Sequence, residues 1–123
     1  MDDTLAVGSP VAEEQFRLLA ENASDVVVKV SDDGVIEWMS PSVTTMLGWS
    51  PQDWVGRQSV EIVADDDVER VRAAQRAVRE GQQVRFVARV KHKNGAFVWV
   101  ESRAHWAGSD AEGRRWRIAS WRR

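Results

Sequence analysis

Apolar and polar side chains alternate with period two along two runs that flank Asn94-Gly95. In the first run Val84, Phe86, Ala88 and Val90 alternate with Arg85, Val87, Arg89 and Lys91. In the second, Val98, Val100, Ser102 and Ala104 alternate with Phe97, Trp99, Glu101, Arg103 and His105. Period two marks a strand with one dry face and one wet face. Asn-Gly accepts the positive φ of a tight turn, so the pattern predicts an antiparallel hairpin over Val84 to Trp106. The dry face of its second strand becomes small at Ser102 and Ala104, and small inward residues leave room.

The remaining elements follow from the same reading. Residues 1–8 carry no periodic signal and are expected to be disordered, with a single domain over 9–123. Ser9-Pro10 offers a cap and a first-turn proline. Phe16, Leu19, Ala20 and Ala23 recur at helical spacing, which predicts a flanking helix over residues 10–23 with a narrow apolar stripe that must dock on something. Val26, Val28 and Val30 alternate as the inward face of a strand. Asp32-Asp33-Gly34 turns it into a return strand, Val35 to Met39, with Ile36 and Trp38 inward. Ser40-Pro41 opens a short helix through Leu47, closed by Gly48. Ser50-Pro51-Gln52-Asp53 reads as a capping box, and Val60, Ile62 and Val63 mark another short helical segment. Asp65-Asp66-Asp67 starts a longer helix with Val68, Val71, Ala74 and Val78 inward. A last strand runs from Arg115 to Trp121. Its alternation puts Trp116, Ile118 and Ser120 inward and Trp121 outward, while Trp38 and Trp106 also face in and Trp99 faces out.

This order predicts an α+β fold: a five-stranded antiparallel sheet with short helices on one face and a hollow between the layers. The inward positions that would line the hollow are Val28, Val30 and Trp38 near the N-terminus, then Leu47, Ile62, Val71 and Val78 from the helices. Phe86, Ala88, Val90, Val100, Ser102 and Ala104 come from the hairpin, and Ile118 and Ser120 from the last strand. Apolar walls with a few hydroxyls suit a small apolar ligand, and they equally suit a core filled by its own side chains. Trp99 and Trp121 would form an outer apolar patch, for which Phe16, Leu19 and Ala20 of the flanking helix, or a second subunit, are the natural cover.

Composition removes several chemistries. The chain has no cysteine, which excludes disulfides, thiolate nucleophiles and cysteine-ligated metals. No run of about 18 apolar residues is present to span a membrane, and the acidic N-terminus lacks the layout of a secretory signal, so a cytoplasmic location is expected. The net charge of −2 conceals a division. Residues 1–69 carry 3 basic and 15 acidic groups (−12), and residues 70–123 carry 14 basic and 4 acidic groups (+10). The basic residues alternate along strands rather than cluster, which favours attraction between the two halves over a nucleic-acid partner. The three aspartates invite a metal, but first-turn carboxylates stabilise a helix N-terminus without one, and no metal site is expected. His92 and His105 have no nearby nucleophile or carboxylate pattern, and no glycine-rich phosphate loop exists, so no catalysis is expected.

Five segments in order resemble the PAS domain, a sensory module of signalling proteins (a PAS/PAC module, PAS fold-3-like). They are FRLLAENASDVV, IEWMSPSVTTMLGWSPQDWVGR, IVADDDVERV, KHKNGAFVWVESRA and GRRWRIASWRR. Ala64-Asp65 stands where the family usually has His-Pro. The resemblance implies a sensory input domain of a larger protein of the histidine kinase, diguanylate cyclase or phosphatase type, with an output domain beyond Arg123. Such a domain would bind a small molecule in its core, form a homodimer, or both. The alternative is a pure interaction domain with a filled core. Family members with cysteinyl-flavin or a thioester chromophore need a cysteine, and haem-binding members commonly use a histidine on or near the long helix. This chain has neither. A non-covalent flavin or a small apolar ligand stays open, and the ligand is not identified by the sequence.

Overall fold

The computed structural model describes residues 24–109 and 111–123. The helix expected over 10–23, with Phe16, Leu19 and Ala20, and the disorder expected over 1–8 lie outside them. In chain order come strands β1 (Val26–Ser31) and β2 (Ile36–Met39) and helix α1 (Ser42–Leu47). Three short 3-10 turns follow, Pro51–Asp53, Ser59–Ile62 and Asp65–Asp67, and then helix α2 (Val68–Arg79). Strands β3 (Val84–Lys91), β4 (Phe97–Ser109) and β5 (Arg115–Arg122) complete the chain. The strands form one five-stranded sheet in the order β2-β1-β5-β4-β3, with every neighbouring pair antiparallel.

The β3–β4 hairpin keeps strict register from Val84 opposite Ala104 to Lys91 opposite Phe97. Its turn is not the two-residue Asn-Gly form. The His92 N–H donates to the Ala96 carbonyl (2.8 Å) and the Gly95 N–H to the His92 carbonyl (3.0 Å), which leaves Lys93, Asn94 and Gly95 as the loop. Gly95 alone takes the left-handed conformation, at φ 95°. Asn94 instead uses its side-chain carbonyl to accept from the Ala96 N–H (2.9 Å). This is the three-residue loop that ends in a left-handed glycine. The β1–β2 hairpin repeats the bonding, from the Ser31 N–H to the Val35 carbonyl and from the Gly34 N–H to the Ser31 carbonyl.

Two strands differ from the alternation expected of them. In β2, Met39 pairs with Val28, Trp38 with Lys29 and Ile36 with Val30, with a register shift between Lys29 and Val30. The extra residue on β2 is a bulge. It places Ile36 and Met39 inward and moves Trp38 to the outer face beside Lys29, so Trp38 does not line the hollow. In β5 the parity is inverted along the whole strand. Trp121 pairs with Ser102 and Val26, Ala119 with Ala104 and Val28, and Arg117 with Trp106 and Val30. The inward set is therefore Arg117, Ala119 and Trp121, while Trp116, Ile118 and Ser120 face out. Trp116 lies under the Lys29 ammonium, 4.5 Å from its ring centre. A buried arginine on the dry face reverses the polar-outside rule on which the expected parity rests.

Both edges of the sheet are occupied by connecting segments. Along β2, the Ile36 N–H donates to the Arg57 carbonyl and the Gly56 N–H to the Ile36 carbonyl. Along β3, Val63 bridges Val90, and the Ala64 N–H donates to the Arg89 carbonyl (2.9 Å). The core lies between the inner face of the sheet and the helices. Helix α2 contributes Val71, Ala74 and Val78, one stripe at helical spacing, against β3 and β4. Each large aliphatic side chain fully buried in this way stabilises the fold by roughly 1.5–3 kcal/mol.

A candidate ligand cavity between the sheet and helix α2

Where the small residues of three strands meet, the core does not close completely. Ala104 pairs with Ala119 across β4 and β5, Ser102 lies one inward position along, and Ala88 faces Val100 across the hairpin. Flanking strands and helix α2 present larger side chains, so the missing volume over these four small residues appears as a cavity of about 50 Å³. Its walls are Val28 and Val30 of β1, Phe86 and Val90 of β3, Val100 of β4, Trp121 of β5 and Val71, Ala74 and Val78 of α2.

Val28, Val30, Val71, Val78, Phe86, Ala88, Val90, Val100, Ser102 and Ala104 therefore lie where the alternation puts them. Five other expected lining positions do not. Trp38 is on the outer face, and Ile118 and Ser120 border a shallow outer groove with Val27, Arg85, Arg103 and His105. Leu47 and Ile62 are fully buried, but they fill the core and do not line the cavity.

The polar lining is richer than expected. Ser59, Gln75, Ser102 and Arg117 all reach the cavity. The Gln75 side-chain N–H donates to the Ser59 hydroxyl (3.2 Å), so these two partly satisfy each other. Arg117 is only 3% exposed, and among the described residues its Nη2 has no hydrogen-bond acceptor. Its burial, and then the charge of Arg79, push its pKa below the usual arginine value, while Asp32 opposes them. Sequence alternation passed over Arg117 because a charged residue is normally assigned to the wet face. The available signal was size, since Ala119 and Trp121 share one parity and complement the small residues of β4.

A second polar cluster ties the helical layer to the sheet edge. Asp67 accepts from the Arg89 backbone N–H at Oδ2 (2.8 Å), from Nε at Oδ2 (3.1 Å) and from Nη2 at Oδ1 (3.0 Å). The Arg70 Nη1 lies at 3.5 Å, and its Nη2 donates to the Val87 carbonyl (2.7 Å). The Arg89 side chain and then its backbone N–H hold the Asp67 carboxyl down at about 2. Asp67 caps no helix N–H with its side chain; this corrects the first-turn capping role expected of it. Arg89 also lies over Trp99, 5.4 Å from the ring centre. Trp99 is 58% exposed, and with Phe97 and Val87, each 51% exposed, it forms an apolar patch on the outer face. Trp121, expected in that patch, is inside.

A flavin does not fit the cavity as it stands. Pockets for ligands of drug or cofactor size span roughly 300–1,000 Å³, against about 50 Å³ here, and the chain has no cysteine for covalent attachment. Among the described residues no helix is long and apolar enough to cross a membrane, and no group of three or more histidine or carboxylate side chains is placed to hold a metal ion.

A family model for the PAS fold matches residues 36–121. Among curated proteins, the chain is similar to the White collar 1 protein of Neurospora crassa, 28% identical over 99 residues, and to the blue light receptor lreA of Aspergillus flavus, 29% identical over 90 residues. These alignments cover 80% and 73% of this chain but only 8% and 10% of the relatives, so the chain spans a tenth or less of their length. A solved PAS domain from Colwellia psychrerythraea superposes with a TM-score of 0.78 at 19% identity, covering 90% of this chain and 95% of that one.

Proposed function

The chain belongs to the PAS fold family of sensory domains, and from that premise we propose that it is the non-catalytic input module of a larger signalling protein, responding to a small molecule held between the sheet and α2. The observation that carries this reading is the cavity itself, with its floor of small residues, apolar walls and few polar anchors. At about 50 Å³ it suits a ligand of a few heavy atoms. The same strands carry the cavity wall and the outer patch. Phe86 precedes Val87, and Val98 and Val100 flank Trp99, so a shift of either strand moves both faces together. Strand β5, with Ala119 and Trp121 on the wall, is the route toward a following output domain. A ligand works this way only if it prefers one arrangement of the strands.

A fragment screen by ligand-observed NMR, run in parallel on the native chain and on Ala119→Val, tests the proposal. The added methyls fill the floor, so genuine cavity ligands bind the native chain and lose binding to the variant. Hits that ignore the substitution, or the absence of any hit, count against the reading. The exposed patch at Val87, Phe97 and Trp99 favours a second reading, a dimerising interaction domain whose core is simply filled.

A further inference from the structure

Arg117 stands out within the cavity because its surroundings supply too much positive charge. Asp32 is the nearby carboxylate, and Arg79 already engages it, with Nε 3.4 Å from Oδ1 and Nη2 donating to the Asp32 carbonyl (3.2 Å). Arg115 donates to the Arg79 carbonyl (3.4 Å) and lies 3.9 Å from the centre of the Trp106 ring. One carboxylate thus serves two neighbouring guanidinium groups, those of residues 79 and 117. A guanidinium buried to this degree, with an Nη2 that finds no acceptor among the described residues, is a strained arrangement unless an anion joins it.

We propose that Arg117 anchors a carboxylate-binding site, and that the ligand is a short aliphatic monocarboxylate. This deepens, and rests on, the sensory reading above. The planar fork of a guanidinium matches the two oxygens of a carboxylate. The rest of the lining is nearly all apolar, which suits a methyl group against Ala119 and Ala104. A phosphate carries up to two negative charges, against the one guanidinium that lines the cavity. A volume of about 50 Å³ limits the ligand to three or four heavy atoms, as in formate or acetate. Retaining a buried, incompletely bonded cation costs stability, so its replacement by an apolar side chain of similar size is expected to raise the melting temperature.

The test compares sodium acetate with the neutral isostere acetamide at fixed ionic strength, on the native chain, Arg117→Met and Arg117→Gln. Readouts are tryptophan fluorescence, which includes Trp121 on the cavity wall, and thermal unfolding. Acetate is expected to saturate the native chain and raise its Tm, with acetamide weaker by about tenfold or more. Arg117→Met is expected to melt higher than the native chain without ligand and to lose the acetate response. If Arg117→Met does not fold, Arg117→Gln carries the same comparison. Equal binding of the two probes, or an acetate response that survives both substitutions, overturns the inference. Acetamide binding that Ala119→Val blocks, with no preference for acetate, leaves the sensory reading standing without this anchor. If neither probe binds the native chain, the carboxylate inference falls, and the fragment screen decides the sensory reading by itself.

Discussion

One carboxylate, Asp67, ties the helical layer to the edge of the sheet. It is 3% exposed and accepts three hydrogen bonds from Arg89. Its folded pKa, at about 2, lies below that of an unfolded aspartate. The stabilisation it gives is therefore fully present above the unfolded value, near pH 4, and is lost as the pH falls through about 2. Asp67→Asn should cost about 1–3 kcal/mol at pH 7, because it leaves the Arg89 donors poorly matched. Urea denaturation of both proteins between pH 7 and pH 2 checks this. The gap should narrow on acidification, and a gap that stays constant over that range would refute the assignment. The sequence signalled Asp67 only as one of three adjacent acids at a helix start. Its partner lies 22 residues away, and nothing in local pattern connects the two.

At the scale of elements, the hairpin from Val84 to Trp106 was legible because both strands alternate cleanly and Gly95 punctuates them. Inward Val100, Ser102 and Ala104, and with them the idea of a hollow, follow directly from that alternation. Strands β2 and β5 were not legible in the same way. A bulge in a strand as short as Ile36–Met39 leaves no compositional mark, so Trp38 changes face unannounced. In β5, Arg117 breaks the equation of charge with solvent. Register, which the sequence does not state, decides that Trp121 rather than Ser120 meets Ser102. The two helix-closing and hairpin glycines offer a graded test of the turns. At Gly95 an added Cβ meets nothing within 4 Å, so Gly95→Ala should cost only the left-handed backbone, about 1–2 kcal/mol. At Gly48 the same Cβ would come within 3.1 Å of His92 Cε1 and 3.2 Å of Lys93 Cβ, so Gly48→Ala should cost more. Denaturation midpoints of the two variants give the order, and the reverse order would contradict the packing of α1 against the hairpin.

At the scale of the whole molecule, the charge division between the two halves of the sequence is resolved inside one fold. Asp67 meets Arg89, Asp32 meets Arg79 and Asp25 meets Arg122, each an acid of the first half with a base of the second. The outer face keeps its apolar patch at Val87, Phe97 and Trp99, bordered by Arg85 and Arg89. If a second copy of the chain covers that patch, Trp99→Ala should shift sedimentation from dimer toward monomer while leaving the fold intact. An unchanged sedimentation profile, or a native chain that is already monomeric, would remove the patch as an interface between copies. The manner of any association is further constrained by the two sheet edges, where Arg57 and Gly56 bond β2 and Ala64 and Asp67 bond β3. Those positions, Ile36 on β2 and Arg89 on β3, are already paired and are not open to a sixth strand. Growth in the plane of the sheet, the route to open-ended fibres, is hindered at both edges, which favours contact through faces, where a two-fold pairing closes on itself and stops.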